Sequence, residues 1–399
     1  MKETYFRAYQ MVHKQALKVM KWRKPVLIEG ENALLKLPQI ITDNDIKRVL
    51  IVTDKGIVKA GLMKHLLVAF DKVGIEYTIY QDTVPNPTID NIEDALALYK
   101  AQRCQGIIAF GGGSPMDCAK GVGARVARPN KTIEQLKGQL KVNKAIPLLF
   151  AIPTTAGTGS ETTLAAVVSN SRTHEKYALM DLSLIPHFAV LDPVLTLNLP
   201  KHITATTGMD ALTHAIEAYI GRSNTSETKM CSEEAVRLIF SNLLTAYEDG
   251  QNIAARKNMQ KASFLAGVAF TRAFVGYVHA IAHTLGGFYK TPHGLANAVI
   301  LPYVLDYYGD AVYDQLAKLS DVIGLSNKEY SNEAKAKQLI SKIRELNAKM
   351  GIPGKIQDIE EKDIPLMVER AYREANPLYP VPKILDKHQL TELYYLIKE

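Results

Sequence analysis

The chain has 399 residues, 47% hydrophobic and 22% charged, which is ordinary globular material and more than one core holds comfortably, so two domains are expected. Its net charge of +7 comes from 48 basic and 41 acidic residues spread along the chain. Without a basic stripe of interleaved aromatics, no nucleic-acid partner is expected; the densest cluster, Lys18 to Lys24, is broken by Val, Met and Trp. Cys104, Cys118 and Cys231 form no CxxC pair, which argues against a disulfide framework and for a reducing compartment. The N-terminal segment has no apolar core of a signal peptide and no apolar run reaches membrane-spanning length, so a cytoplasmic protein with no membrane partner is expected.

Residues 1–200 alternate between strand and helix patterns. Arg48–Val52 (RVLIV), Glu76–Tyr80 (EYTIY), Gly106–Phe110 (GIIAF) and Ile146–Ile152 (IPLLFAI) read as strands, with helices predicted over Val58–Val73 and Ile89–Arg103. Continuous apolar strands separated by helices predict a parallel sheet covered on both faces. After Pro193 and Pro200 the helical period dominates, so the expected division is an α/β domain over 1–194 and an all-helical domain over 195–399.

The third strand runs into Gly111-Gly112-Gly113. Ser114 is predicted to cap the helix that follows, with Pro115 at its first position and Asp117 completing a capping box. A helix N-terminus behind a loop without side chains suits a pyrophosphate. The order is not GxGxxG and it follows the third strand, so the usual Rossmann fingerprint is absent. The fourth strand enters AIPTTAGTGSETT (151–163), whose hydroxyls can bond phosphate, ribose or carboxamide. Asp54, just past the first strand, can accept from a ribose 2′-OH and repel a 2′-phosphate, or can serve as a helix cap.

Asp210 and His214 are four apart in an apolar run, and His279 and His283 repeat that spacing on a second apolar helix predicted to end at Gly286-Gly287. His293 lies between Pro292 and Gly294, just beyond it. One carboxylate and three imidazoles suit Fe(II) or Zn(II) and suit Mg or Ca poorly. Four of these five residues complete such a set, and the fifth is left for proton transfer.

GGGSPMDCAK, PTTAGTGSET, GMDALTHAIEAY and HAIAHTLGGFYKTPHGLANAVILPYV together resemble the signatures of the iron-containing (group III) alcohol dehydrogenase family, along nearly the whole chain. The resemblance implies a dinucleotide-binding domain, a helical domain, and a cleft between them for metal and substrate. It places the metal on Asp210, His214, His279 and His293, Fe(II) favoured and Zn(II) possible, and proton relay on His283. It places NAD(H) on Asp54, Asn86, Gly113, Ser114, Asp117, Thr154, Thr155, Thr158, Ser160 and Lys176. The implied reaction is hydride transfer between NAD(H) and a small aliphatic alcohol or aldehyde, with a diol or lactaldehyde substrate as the alternative, in a homodimer or larger assembly. Two departures stand out. Arg272 and Phe274 replace the Asn and Gly of F-x-N-A-G-L-G, which can border the substrate channel. Leu164-Ala165-Ala166 stands where some diol-handling members carry Asn, and an apolar wall there favours simple alcohols. A dehydroquinate-synthase-like lyase would need basic side chains that TPHGLAN lacks, and a nicotinamide sensor without turnover needs no four-ligand site.

Overall fold

The computed structural model describes residues 2–172, 175–325, 327 and 329–399. The chain forms two compact units, one of Trp22–Asn198 and one of Met1–Lys21 with Leu199–Glu399. In chain order the described elements are α1 (Lys2–Val19), β1 (Val26–Glu29), α2 (Leu37–Asp43), β2 (Arg48–Val52), α3 (Lys55–Lys59), α4 (Lys64–Val73), β3 (Glu76–Tyr80), α5 (Ile89–Ala101), β4 (Gly106–Gly111), α6 (Gly113–Ala127), β5 (Gly138–Gln139), β6 (Leu148–Pro153), β7 (Ala165–Ser169), β8 (Lys176–Met180) and β9 (Phe188–Leu191). There follow α7 (Lys201–Ile220), α8 (Ser226–Glu248), α9 (Ile253–Ala273), α10 (Tyr277–Phe288), α11 (His293–Tyr308), α12 (Tyr313–Val322), α13 (Asn332–Lys349), α14 (Ile364–Ala375) and α15 (Lys387–Ile397).

In the α/β unit, six parallel strands run in the order β1-β9-β6-β4-β2-β3. Alternation along each strand feeds two cores. Leu50, Val52, Ile107, Ala109, Leu149 and Ala151 pack with α5 and α6 on one face. Val49, Ile51, Ile108, Phe110, Phe150 and Ile152 pack with α2 and α4 on the other. Burial on both faces is why these strands read as unbroken apolar runs. A smaller sheet, β5-β8-β7, with β7 and β8 antiparallel, draws one strand from before the second loop and two from after it, and the sequence pattern did not predict it. The helix predicted over Val58–Val73 is two, because Gly61 turns with φ +68° between α3 and α4.

The other unit is helical, as its 3.6-residue period predicts. At its centre α7 is buried almost all round from Thr204 to Ile220, which only a helix enclosed by others tolerates. Helix α10 continues through Gly286-Gly287 to Phe288, whose ring meets the Arg370 guanidinium at 4.9 Å; the predicted stop at the glycines is not taken. The predicted placement of residues 1–21 with the sheet also differs from what is observed. Helix α1 docks on the C-terminal part of the helical unit, where the Arg7 guanidinium donates to the Val381 (2.7 Å) and Pro382 (3.0 Å) carbonyls. Gln10 Nε2 donates to the Tyr379 carbonyl at 2.7 Å. Among the described residues, no single helix is long and apolar enough to cross a membrane.

Candidate metal centre and dinucleotide site

Helix α7 carries Asp210 and His214, α10 carries His279 and His283, and His293 opens α11. One ligand atom from each of Asp210, His214, His279 and His293 can be chosen so that all lie within 4.8 Å of one another. His293 Nε2 is 3.5 Å and His279 Nε2 is 3.9 Å from Asp210 Oδ1. Ligands about 2.1 Å from a tetrahedral ion stand about 3.4 Å apart, so these separations fit Zn(II) or Fe(II). Stacking holds the rings: His214 lies between Phe270 at 4.0 Å and His279 at 4.5 Å.

Two residues that the spacing argument passed over complete this group. Asn297, one turn after His293 on α11, directs Nδ2 at Asp210 Oδ1 (2.7 Å), His293 Nε2 (3.1 Å) and His279 Nε2 (3.2 Å), while its buried Oδ1 finds no partner. An amide nitrogen has two hydrogens and cannot satisfy three acceptors at once, so the lone pairs of Asp210, His279 and His293 face a position where a cation would take all three. Glu217 follows Asp210 and His214 on the same face of α7, at i+7 and i+3, a spacing that was readable in HAIE. Its carboxylate accepts from His279 Nδ1 at 2.6 Å and from the Val278 amide at 2.8 Å. That bond holds the His279 proton on Nδ1 and turns Nε2 toward Asp210. Burial raises the Glu217 carboxyl to about 7 against the backbone bonds that lower it. Burial, reinforced by His214, keeps His279 well below the usual histidine range, and a neutral ring is the form that binds metal.

His283 is held differently. Its Nδ1 lies 2.6 Å from Glu374 Oε1 of α14, and its ring stacks on His293 with centroids 5.2 Å apart. The two departures from the family pattern lie on the preceding helix: Arg272 pairs with Glu227 of α8, and Phe274 ends α9. Phe274 adopts φ 65° and ψ −179°, a conformation that glycine takes without strain, and its ring meets His13 of α1 at 5.4 Å.

In the α/β unit the chain passes from β2 outward to β3 and returns to β4 on the other side of β2, so the winding reverses between β2 and β4. Ligands of open parallel sheets bind beyond the C-terminal strand ends at such a switch. Asp54 leaves β2 there, Gly112 and Gly113 leave β4, and Thr154, Thr155 and Thr158 leave the adjacent β6. The two loops touch: a β-carbon on Gly113 would stand 3.1 Å from Thr158 Cγ2, and one on Gly112 would stand 3.5 Å from Thr155 Oγ1.

Side-chain roles differ in several places from those expected. Asp54 keeps one of its two expected roles: it is the N-cap of α3, its Oδ1 accepting from the Ile57 amide at 3.0 Å. Gly112, not Ser114, caps α6; Ser114 is inside the helix and its Oγ accepts from the Asn86 amide at 3.2 Å, with Asn86 at φ 57°. Asp117 completes no capping box and faces inward, accepting from Ser160 Oγ (3.0 Å) and the Val167 amide (3.1 Å). Lys120, fully buried, donates to Ser160 Oγ (2.9 Å), Thr163 Oγ1 (2.8 Å) and the Ala165 carbonyl (2.8 Å). Burial lowers Lys120 to about 8 and raises Asp117 to about 6 and Glu161 to about 7, while attraction between the lysine and the two acids opposes each shift. This group ties the second loop to α6, and Lys120 was missed although GGGSPMDCAK contains it. Lys176 starts β8 opposite Ser169, whose amide bonds the Pro87 carbonyl beside Asn86; burial lowers its pKa. Ala166 points into the core, so the apolar wall expected at 164–166 has at most Leu164 and Ala165 to offer.

The comparisons agree with this geometry. The model described as Iron-containing alcohol dehydrogenase matches residues 25–193, and that of the Fe-containing alcohol dehydrogenase family, C-terminal, matches residues 204–397. A 1,3-propanediol dehydrogenase of Klebsiella pneumoniae is 40% identical over 334 residues, 83% of this chain and 86% of the relative. The crystal structure of a 1,3-propanediol oxidoreductase superposes with a TM-score of 0.91 at 36% identity, covering 94% of this chain and 99% of that one. A sulfoacetaldehyde reductase from Bifidobacterium kashiwanohense, solved in complex with NAD+, superposes with a TM-score of 0.84 at 27% identity, covering 95% and 98%. Matched by family models over both units, the chain belongs to the iron-containing alcohol dehydrogenase family and is an alcohol/aldehyde oxidoreductase.

Proposed function

We propose that the protein reversibly oxidises a small primary alcohol to its aldehyde with NAD(H), at a divalent metal held by Asp210, His214, His279 and His293. The observation that carries this reading is the convergence of Asp210 Oδ1, His279 Nε2 and His293 Nε2 on one buried point. Fe(II) is the favoured ion and Zn(II) the alternative, since both accept this donor set. When bound, the ion supplies Lewis acidity that lowers the pKa of the substrate hydroxyl.

The side chains divide the remaining work. Glu217 keeps the His279 lone pair aimed inward, and Asn297, whose two Nδ2 hydrogens cannot serve the histidine lone pairs once these hold the ion, bonds Asp210 Oδ1. His283 is the residue proposed to carry the hydroxyl proton away, as a ring one helical turn from His279 and stacked on His293. For the cofactor, the N-terminus of α6 behind Gly112-Gly113 offers amides to the pyrophosphate. Thr155 and Thr158 offer hydroxyls, and Lys176 offers a cation whose depressed pKa has burial as its cause. Asp54 keeps Oδ2 for a ribose hydroxyl while Oδ1 caps α3, which supports NAD(H) over NADP(H). NAD+ in the sulfoacetaldehyde reductase supports the same assignment. Asp117 and Ser160 act from behind the loop.

A diol or hydroxyaldehyde is the second reading of the substrate, favoured by the 1,3-propanediol enzymes among the relatives and by the inward turn of Ala166. Assembly as a homodimer or larger is also proposed, supported by the exposed apolar stripe of Tyr5, Tyr9, Val12 and Val19 along α1. The deciding experiment is metal analysis with NADH oxidation over an aldehyde panel, on wild type, His279→Ala and His293→Ala. Both variants are expected to fold, lose metal and lose turnover. Full metal occupancy with normal turnover in either would sink the assignment.

A further inference from the structure

Two carboxylate–histidine pairs stand one turn apart on α10. Glu217 Oε2 meets His279 Nδ1 and Glu374 Oε1 meets His283 Nδ1, each at 2.6 Å. The first pair is buried and serves a proposed ligand. The second joins a side chain 35% exposed to one 32% exposed, and four-coordination does not call for it. We infer that Glu374 is a positioning residue, fixing the ring orientation and tautomer of His283 so that Nε2 is the nitrogen that takes up and returns the proton.

The geometry leaves Glu374 little freedom. The same Oε1 accepts from the Tyr379 hydroxyl at 2.8 Å, and the Tyr379 carbonyl is in turn held by Gln10 of α1. Glu374 sits at the end of α14, and Arg7 braces the following segment at Val381 and Pro382. An imidazole that gives its Nδ1 proton to a fixed carboxylate has both its tautomer and its rotation set. Glu217 does this for a proposed metal-binding nitrogen, and Glu374 does it for a proton-carrying one.

This inference rests on the proposed role of His283, so the test separates the two. Metal content, kcat and KM are measured for Glu374→Ala, Glu374→Gln, His283→Ala and the Glu374→Ala/His283→Ala double variant, each as the metal-loaded full chain. Glu374→Ala is expected to lose about 10- to 100-fold in kcat, with KM and metal content near wild type. Glu374→Gln keeps an acceptor for Nδ1–H and should recover most of that loss. Adding Glu374→Ala to His283→Ala should cost nothing further. Tyr379→Phe, which removes only the second donor to Oε1, should show a smaller loss in the same direction and serves if Glu374→Ala does not fold. Wild-type kcat in Glu374→Ala beside a slow His283→Ala overturns the inference alone. So does a further loss in the double variant, or loss of metal in Glu374→Ala. Wild-type turnover in His283→Ala overturns the role of His283 and this inference with it.

Discussion

Gly294 and Thr206 approach so closely that a β-carbon on Gly294 would stand 2.4 Å from the Thr206 carbonyl oxygen. The obstacle is the backbone of α7, which cannot rotate away, so any side chain at 294 must push the first turn of α11 outward. His293 is the first residue of that turn. Gly294→Ala is therefore expected to lower metal occupancy and cut turnover at least about tenfold, with destabilisation of ~1–3 kcal/mol from overpacking. Metal analysis and circular dichroism on purified protein check this; a variant with wild-type metal content and kcat would show that α11 accommodates the methyl.

Lys120 neutralises two buried acids and holds Ser160 and Thr163. Lys120→Met removes the cation and strands Asp117 and Glu161, a change that typically costs about 3–5 kcal/mol for a buried charge left unpaired. Because the loop from Thr154 to Thr163 is proposed to face the dinucleotide, NADH affinity should fall with stability. Thermal melts and NADH fluorescence titrations are the measurements. A lower melting temperature with unchanged NADH affinity would separate the loop from the cofactor.

Asp54 has one oxygen on the cap of α3, and the other is the one proposed for a ribose hydroxyl. Replacement by Gly, itself an acceptable N-cap residue, should cost only a few tenths of a kcal/mol in stability. The preference for NAD(H) over NADP(H) should narrow by about 10- to 100-fold as the negative charge disappears. The ratio of kcat/KM for the two cofactors, in wild type and Asp54→Gly, decides it; an unchanged ratio removes Asp54 from the cofactor site.

His187 provides a pH test within the α/β unit. Its Nδ1 accepts from the Leu149 amide at 3.1 Å, so the ring is neutral with its proton on Nε2. Burial, reinforced by Arg23, lowers its pKa from 6.5 to about 4. The unfolded chain thus takes up the proton first as pH falls. Stability is full above 6.5 and declines between 6.5 and about 4. Part of the ring is solvated, so the loss through this group should be ~2 kcal/mol. His187→Asn, which keeps an acceptor without a titrating ring, should flatten that limb in denaturant titrations at pH 7 and pH 4.5. An equally steep limb in the variant would assign the acid sensitivity elsewhere.

What the sequence disclosed and what it hid follow from range. The pair spacings of Asp210 with His214 and His279 with His283 obey the helical period, and residues four apart share a face whatever the rest of the chain does. The run GIIAFGGG carried both a buried strand and the turn that ends it. Glu217 and Asn297 obeyed the same period, beside Asp210 and His293 respectively, and were passed over for want of a reason to look. Glu374 had no local signal, because its partner is 91 residues away and only the packing of α14 on α10 brings them together. Asp54 takes the cap that its position allowed, whereas Ser114 does not: α6 starts two residues earlier than a serine cap would have it, so Gly112 takes the N-cap position. Helix α1 read as part of the first domain because position in the chain was the only guide.

That helix has a consequence for biogenesis. Arg7 bonds a carbonyl 374 residues further along the chain, and Gln10 bonds one 369 residues along. The α/β unit, one continuous stretch, is complete once residue 198 has left the ribosome. The first 21 residues must then wait, an amphipathic helix without its docking surface, until residues 379–382 have been made. Closure of the helical unit is thus a late, long-range step, paid in loop entropy. Molecules caught before it expose the face of α1 that carries Arg7 and Gln10 together with the surface that these residues would cover.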